Sequence, residues 1–344
     1  MANELRRLLP LLGVLAIVYL LMAGLSAIDR GEGSQNISGW RLRAPIFLVT
    51  ETDEGLSLNT GNQRQILEQA AVNIILGVGM TFVILTAGID LSVGSLLAFC
   101  NVLFVIVAKA LLAHNAPPVF AYAGATLLCL AGGAMMGWIN GAITVWGRVQ
   151  SFIVTLGMFL AARGLAYVIS GRDIQWLPCF GAVRYVLPIA LALSSVVVAY
   201  LALGFTRWGR YTFAVGGNLE ASRLSGVPVN RVRILAFTIS GLCCAVAGIV
   251  SWVHVSTGSY LAGESRELYA IAAVVIGGTS LMGGQGSVLG TLVGALIMAV
   301  LYNGLNTVGV DEMTQRIIIG AVIVGAALYD SLRRRRSSVW SAKL

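Results

Sequence analysis

The chain has 344 residues, of which 57% are hydrophobic and only 11% charged, with a formal net charge of +8. A soluble domain carries about 25% charged residues, so this composition excludes an ordinary water-soluble globule and describes a polytopic membrane protein. The positive charge, carried by 21 Arg and two Lys, does not point to nucleic acid: it lies beside apolar runs, where it orients membrane proteins.

Ten apolar runs are expected to be spans, at about 8–28, 66–87, 92–113, 119–146, 151–170, 185–204, 233–255, 268–282, 286–305 and 314–331. A helix needs about 20 residues to cross a bilayer core. Arg6 and Arg7 precede the first run, which is too long for a signal-peptide core of about 7–15 residues and reads as an uncleaved span. Segment 30–65 is too polar to cross. Residues 45–50 within it are expected to form one short strand or interfacial piece, and the segment is either an ordered loop or a contact for an outer partner. Between the second and third runs comes Gly88-Ile89-Asp90-Leu91-Ser92-Val93-Gly94-Ser95. It reads as a turn, with Gly88 left-handed at the end of one helix and Asp90 as the N-cap of the next.

With both termini cytoplasmic, the inner segments hold 13 of the 23 Lys and Arg, and ten spans close the topology. The longest inner loop is 205–232. Within it Asn218 is a good N-cap, 219–225 can form two helical turns, Glu220 suits the positive helix end, and Gly226 is a natural stop before Pro228. The eighth run is short and Gly-rich at its end, a feature that marks binding or gating regions in transporters. Stretches 83–95 and 275–287 are weakly alike; two parallel structural halves and chance likeness both fit. Gly133, Gly137 and Gly141, then Gly286, Gly290 and Gly294, form ladders at a spacing of four, suited to close helix packing within one subunit or, as the lesser alternative, between two.

The five Cys show no CxxC spacing, and neither His lies in an HExxH motif, so no metal site or catalytic set is expected. No GxxxxGK[ST] occurs, so the chain cannot hold ATP phosphates in the usual way. Polar residues within the runs are candidates for a translocation path: Asn73, Asp90, Ser92, Asn140, Thr155, Arg163 and Asn303. Arg163 stands apart, since an isolated charge in a span costs about 2.5–3.5 kcal/mol; Glu68 is its expected partner. An ion-coupled secondary transporter would need paired intramembrane carboxylates, and only Glu68 and Asp90 are near the spans. A membrane enzyme would need a catalytic cluster.

The stretch 88–95, together with Ala214-Val-Gly-Gly-Asn218-Leu-Glu220-Ala-Ser-Arg-Leu-Ser-Gly226 and Val275-Ile-Gly-Gly-Thr-Ser-Leu-Met-Gly-Gly284-Gln-Gly286-Ser, resembles the permeases of ribose-type, ATP-driven sugar importers, over about 66–330. That resemblance implies an all-α integral membrane protein of the bacterial inner membrane, with about ten helices in two pseudo-repeated halves. One permease domain would cover 1–331, followed by a basic cytoplasmic tail at 332–344. It implies a homo- or heterodimer around the path, a periplasmic binding protein that delivers a monosaccharide, a cytoplasmic ATP-binding subunit, contact with lipid, and no cofactor. It makes the 218–226 helix the coupling helix, with Gly216, Gly217, Asn218, Glu220, Ala221, Ser222 and Gly226 docking on the ATPase. The resemblance says nothing about 30–65.

Overall fold

The computed structural model describes residues 2–26, 28–30, 40–42, 47, 49–52, 55–179, 181 and 183–341. Among them the apolar runs become helices, divided where Gly, Pro and capping residues interrupt them. In chain order these are α1 (Ala2–Ser26), α2 (Thr60–Leu85), α3 (Val93–Ala113), α4 (Pro118–Trp146), α5 (Ser151–Ile169) and α6 (Val183–Phe205). The chain continues through α7 (Arg207–Gly217), α8 (Leu219–Leu224), α9 (Val229–Val255), α10 (Arg266–Ile276), α11 (Val288–Thr307) and α12 (Glu312–Ser341). The strands are short: β1 (Ile28–Arg30) pairs antiparallel with β2 (Trp40–Leu42), β3 (Val49–Thr52) with β4 (Gly55–Leu58), and β5 (Gln175–Trp176) with β6 (Thr257–Gly258).

Eight of these helices, α1 from Leu8, α2 to α6, α9 and α11, are long and apolar enough to cross a membrane. This is a multi-pass, all-α membrane protein. Helix α2 is its axis: every residue from Ala70 to Leu85 is buried, against α9, α10 and α11. The outer helices α4, α5 and α6 instead expose Leu, Ile, Val, Phe and Trp side chains, as suits a surface solvated by lipid. Packing without a hydrophobic drive relies on close approach, and α4 meets α9 through its glycines. A Cβ on Gly133, Gly137 or Gly141 would strike the backbone of Gly241, Phe237 or Ile234. The second ladder does the same within the chain, Gly290 lying on Gly277 and Gly294 on Ala273; Gly286 precedes the helix, whose N-cap is Ser287, and packs on Thr279.

The eighth expected span is corrected. Helix α10 has 11 residues, about 16 Å at 1.5 Å per residue, against a core of about 30 Å. The rest of this passage is not helix: the two residues of β6 are followed by turns at 260–265. Gly258 lies against Val105 and Gly263 against Gly94 and Leu97, so residues 258–263 descend along α3 before α10 begins. The pattern missed this because Thr257 to Ser265 looks like an ordinary polar connection.

Where the expected piece at 45–50 begins, Pro45, Ile46 and Leu48 lie outside the described residues. Strand β3 starts at Val49, and the Phe47 carbonyl accepts from Asn62 Nδ2 at 3.0 Å and Gln63 Nε2 at 2.9 Å. That ties the segment to the start of α2, whose N-cap Asn59 accepts from Asn62 N–H.

Candidate functional site

One end of the bundle gathers the three motif stretches. The Gly284 N–H donates to the Leu85 carbonyl at 3.0 Å, joining the turn after α2 to the turn before α11. Gly216, at the end of α7, fits into this join: its Cβ would strike Leu85 O and Gly284 N. A Cβ on Gly284 would strike the Gly217 backbone, while one on Gly217 itself would meet nothing. Helix α8 leaves from here. Its N-cap Asn218 accepts from Ala221 N–H at 2.9 Å. Gly226 adopts φ +78°, and its N–H reaches Arg223 O while Val227 N–H reaches Ser222 O, both at 3.0 Å, the paired closure of a Schellman turn. Ser222 is buried, Glu220 is exposed 3.5 Å from Arg223, and Leu224 stands 87% exposed. Leu224 is thus a bare apolar side chain at the end of the six-residue helix, and the sequence reading missed it.

The Asp90 turn differs from expectation in two respects. The left-handed residue is Ala87, with φ +57°, not Gly88; Gly88 is instead hemmed in by Val83 and Phe237. Asp90 does not cap α3, whose N-cap position is Ser92. Its Oδ1 accepts from Ser92 N–H at 3.0 Å and from the Ser92 hydroxyl at 2.5 Å, while Oδ2 accepts from the Ser240 hydroxyl at 2.9 Å. Asn140 Nδ2 donates to Ser92 Oγ at 2.9 Å. Asp90, Ser92 and Asn140 are 0% exposed, so three path candidates form one buried polar knot joining the turn to α4 and α9, with Asn140 Oδ1 left unpartnered. The extended chain beside it is held by α5: Ser151 Oγ accepts from Ile89 N–H and Thr155 Oγ1 from Leu91 N–H, each at 3.1 Å.

Arg163 does not pair with Glu68. Its Nη1 donates to Tyr260 O at 2.7 Å and Ala262 O at 2.8 Å, satisfying carbonyls in the turns of the passage between α9 and α10. Asn101 holds the same segment, accepting from Ser259 N–H at 2.8 Å and donating to Thr257 O at 3.2 Å. Non-helical chain among spans is tolerated only where its polar groups find such partners. Glu68 instead lies 3.0 Å from Arg64 and 3.0 Å from His254 Nδ1.

A polar cleft of about 130 Å³ opens between α2, α10, α11 and α12. Gln69, Asn73, Arg266, Tyr269, Tyr302 and Gln315 line it, and Glu264, Glu312 and Arg316 flank it. Arg266 Nη1 donates to Asn73 Oδ1 at 2.7 Å, and among the described residues Arg266 makes no ion pair. Gln69 Oε1 and Gln315 Oε1 are buried without a hydrogen-bond partner, and the two tyrosines meet edge-on at 6.0 Å. Arg316 bridges Glu312 at 2.7 Å and Glu264 at 3.6 Å. Free acceptors, guanidinium and phenol donors and an aromatic wall suit hydroxyl-rich ligands. Asn73 is thus placed at a cleft, and Asn303, buried with its Oδ1 unpartnered, follows Tyr302 on α11. The sequence reading did not single out Gln69, Arg266, Tyr269, Tyr302 or Gln315; an Arg opening a short Gly-flanked run was the one available signal.

Residues 63–327 match the family described as the permease component of branched-chain amino acid transport systems. The chain belongs to this permease family. Within it the permease is 42% identical to the ribose import permease protein of Escherichia coli strain K12 over 285 residues, 79% of this chain and 86% of the relative. It is 37% identical to the D-allose transport system permease protein of the same strain, covering 80% and 85% of the two chains. It is also 37% identical to the fructose import permease protein of Rhizobium meliloti, covering 78% of each. The ribose-type resemblance seen in the three motifs therefore extends through most of the permease. No solved structure matches it.

Proposed function

We propose that this permease is the membrane subunit of an ATP-driven, binding-protein-dependent monosaccharide importer of the bacterial inner membrane. The observation that carries the reading is likeness over about four-fifths of the chain to relatives named for ribose, allose and fructose. The permease takes its sugar from a periplasmic binding protein and works as a dimer with a second permease subunit. A cytoplasmic ATP-binding subunit docks on α8, and both chain termini lie on that side. Residues 1–331 act as one permease unit with two related halves, and 332–344 as a basic tail. The passage from 257 to 276, half non-helical and half helical, completes ten crossings with the eight long helices and α12. Alternating access opens the path to one side and then the other, and the join of Leu85, Gly216 and Gly284 links α8 to both re-entering turns.

Single cysteines at Ser57 and Ser225 test the orientation: an impermeant thiol reagent added outside is expected to label S57C and spare S225C. Labelling of both from one side would contradict ten crossings. The cleft is the proposed stage of the path that handles sugar hydroxyls. Tyr302→Phe and Gln315→Ala each remove one partner, and a hydrogen bond is worth about 0.5–1.5 kcal/mol. Sugar uptake per ATP hydrolysed should fall roughly three- to tenfold in each. Unchanged uptake in both would take the cleft out of the path.

A further inference from the structure

A second cavity, an open groove of about 560 Å³, lies at the α8 end of the bundle, between the end of α4, the starts of α5 and α9, and α8 itself. Arg148, Arg223 and Arg233 line it with Thr144, Gln150 and Asn230, and among the described residues no Asp or Glu does. Two of its polar atoms are buried and unpartnered, Thr144 Oγ1 and Arg233 Nε, and Thr144 is only 2% exposed as a residue. Helices α5 and α9 both start at the groove, after Gln150 and Pro228, and neither start is capped by a side chain. Uncapped helix starts present free N–H groups and a partial positive charge, which favour oxyanions. Arg223 shares its charge with Glu220 at 3.5 Å, so Arg148 and Arg233 carry most of the groove's attraction.

The groove's surroundings choose among oxyanions. Beside it Trp146 is 63% exposed and meets Trp138 edge-on at 5.8 Å; Phe152, on the first turn of α5, is also exposed. Exposed tryptophans at a helix end mark the level of lipid head groups. The groove thus opens beside an apolar flank that acyl chains can cover, while Arg148, Arg233 and the two helix starts offer donors to a phosphate. We infer that this groove binds the phosphate head group of an anionic phospholipid, with Arg148, Arg233 and the two helix starts holding the phosphate and the lipid chains lying over Trp146 and Phe152. The inference needs only that the chain spans a membrane, so it stands or falls separately from the sugar reading.

The test is native mass spectrometry of the permease released from vesicles of phosphatidylcholine mixed with phosphatidylglycerol. The wild type is expected to retain phosphatidylglycerol preferentially. Arg148→Gln with Arg233→Gln should lose roughly thirtyfold of that preference, the loss of two basic residues at a charged lipid surface. Arg148→Lys with Arg233→Lys should keep part of it, which identifies a charge site even if the glutamine variant does not fold. Inorganic phosphate added to the delipidated wild type separates the two phosphate sources. Equal retention of both lipids by the wild type, an unchanged preference in a folded glutamine variant, or stabilisation by inorganic phosphate with no effect of phosphatidylglycerol would each overturn the lipid assignment. So would a glutamine variant that keeps its lipid preference but no longer binds the ATPase subunit, since that outcome assigns the groove to an acidic protein contact.

Discussion

Gly226→Val is expected to abolish sugar uptake and stimulated ATP hydrolysis together, while leaving the permease in the membrane at a near-normal level. Gly226 sits at φ +78° and closes α8 through the Arg223 and Ser222 carbonyls. A left-handed residue with a side chain costs about 1–2 kcal/mol, and β-branching adds to it. Helix α8 has six residues, whereas isolated helices shorter than about 12–15 residues are marginal in water; its shape rests on its two caps. Distorting one cap turns Leu224 and the exposed face away from the docking position proposed for them. Glu220→Lys should act in the same direction by placing positive charge at the positive end of the helix and beside Arg223. Gly216→Ala reaches the same end by another route, since the methyl group must push α7 away from Leu85 and Gly284. Pull-down of the ATPase subunit and ATPase assays in nanodiscs measure the effect. Full binding and full transport in all three variants would make α8 a plain connector.

Asp90→Ala should be the most damaging change at the turn between α2 and α3, and Asp90→Asn much milder. The alanine variant leaves the Ser92 N–H, the Ser92 hydroxyl and the Ser240 hydroxyl without their acceptor in a site with no solvent. Each buried group left unmatched costs about 1–3 kcal/mol. Asparagine keeps one carbonyl oxygen for Ser92, and its amide can donate to a Ser240 hydroxyl that turns to accept. Thermal unfolding of the purified permease should therefore drop by several degrees for alanine and little for asparagine, with transport following stability. A stable asparagine variant that binds the ATPase normally yet carries no sugar would mean that the carboxylate charge itself takes part in transport.

The sequence made the helical class, eight long spans and the α8 caps readable, because each rests on a local signal. Apolar length marks a span, and Asn218 and Gly226 mark the ends of a helix whatever surrounds it. The family motifs were readable too, but their meeting was not: nothing local says that Leu85, Gly216 and Gly284 touch. The same limit explains Arg163. Its cost in a span was legible and its need for a partner followed, yet the partners are backbone carbonyls at Tyr260 and Ala262, in a run of turns with no periodic pattern. Polar type alone did not show the groupings either: Asp90 and Asn140 both bond Ser92, and the cleft is lined by Arg266, Tyr302 and Gln315 from helices that meet only in the fold.

Sugar uptake into proteoliposomes holding the permease, the ATP-binding subunit and the sugar-binding protein tests the central claim most directly. Labelled monosaccharide should accumulate inside only when ATP, the ATP-binding subunit and the binding protein are all present, and collapsing ion gradients should leave the rate unchanged. Accumulation at the same rate by the permease alone, driven by a sodium or proton gradient without ATP, would contradict it.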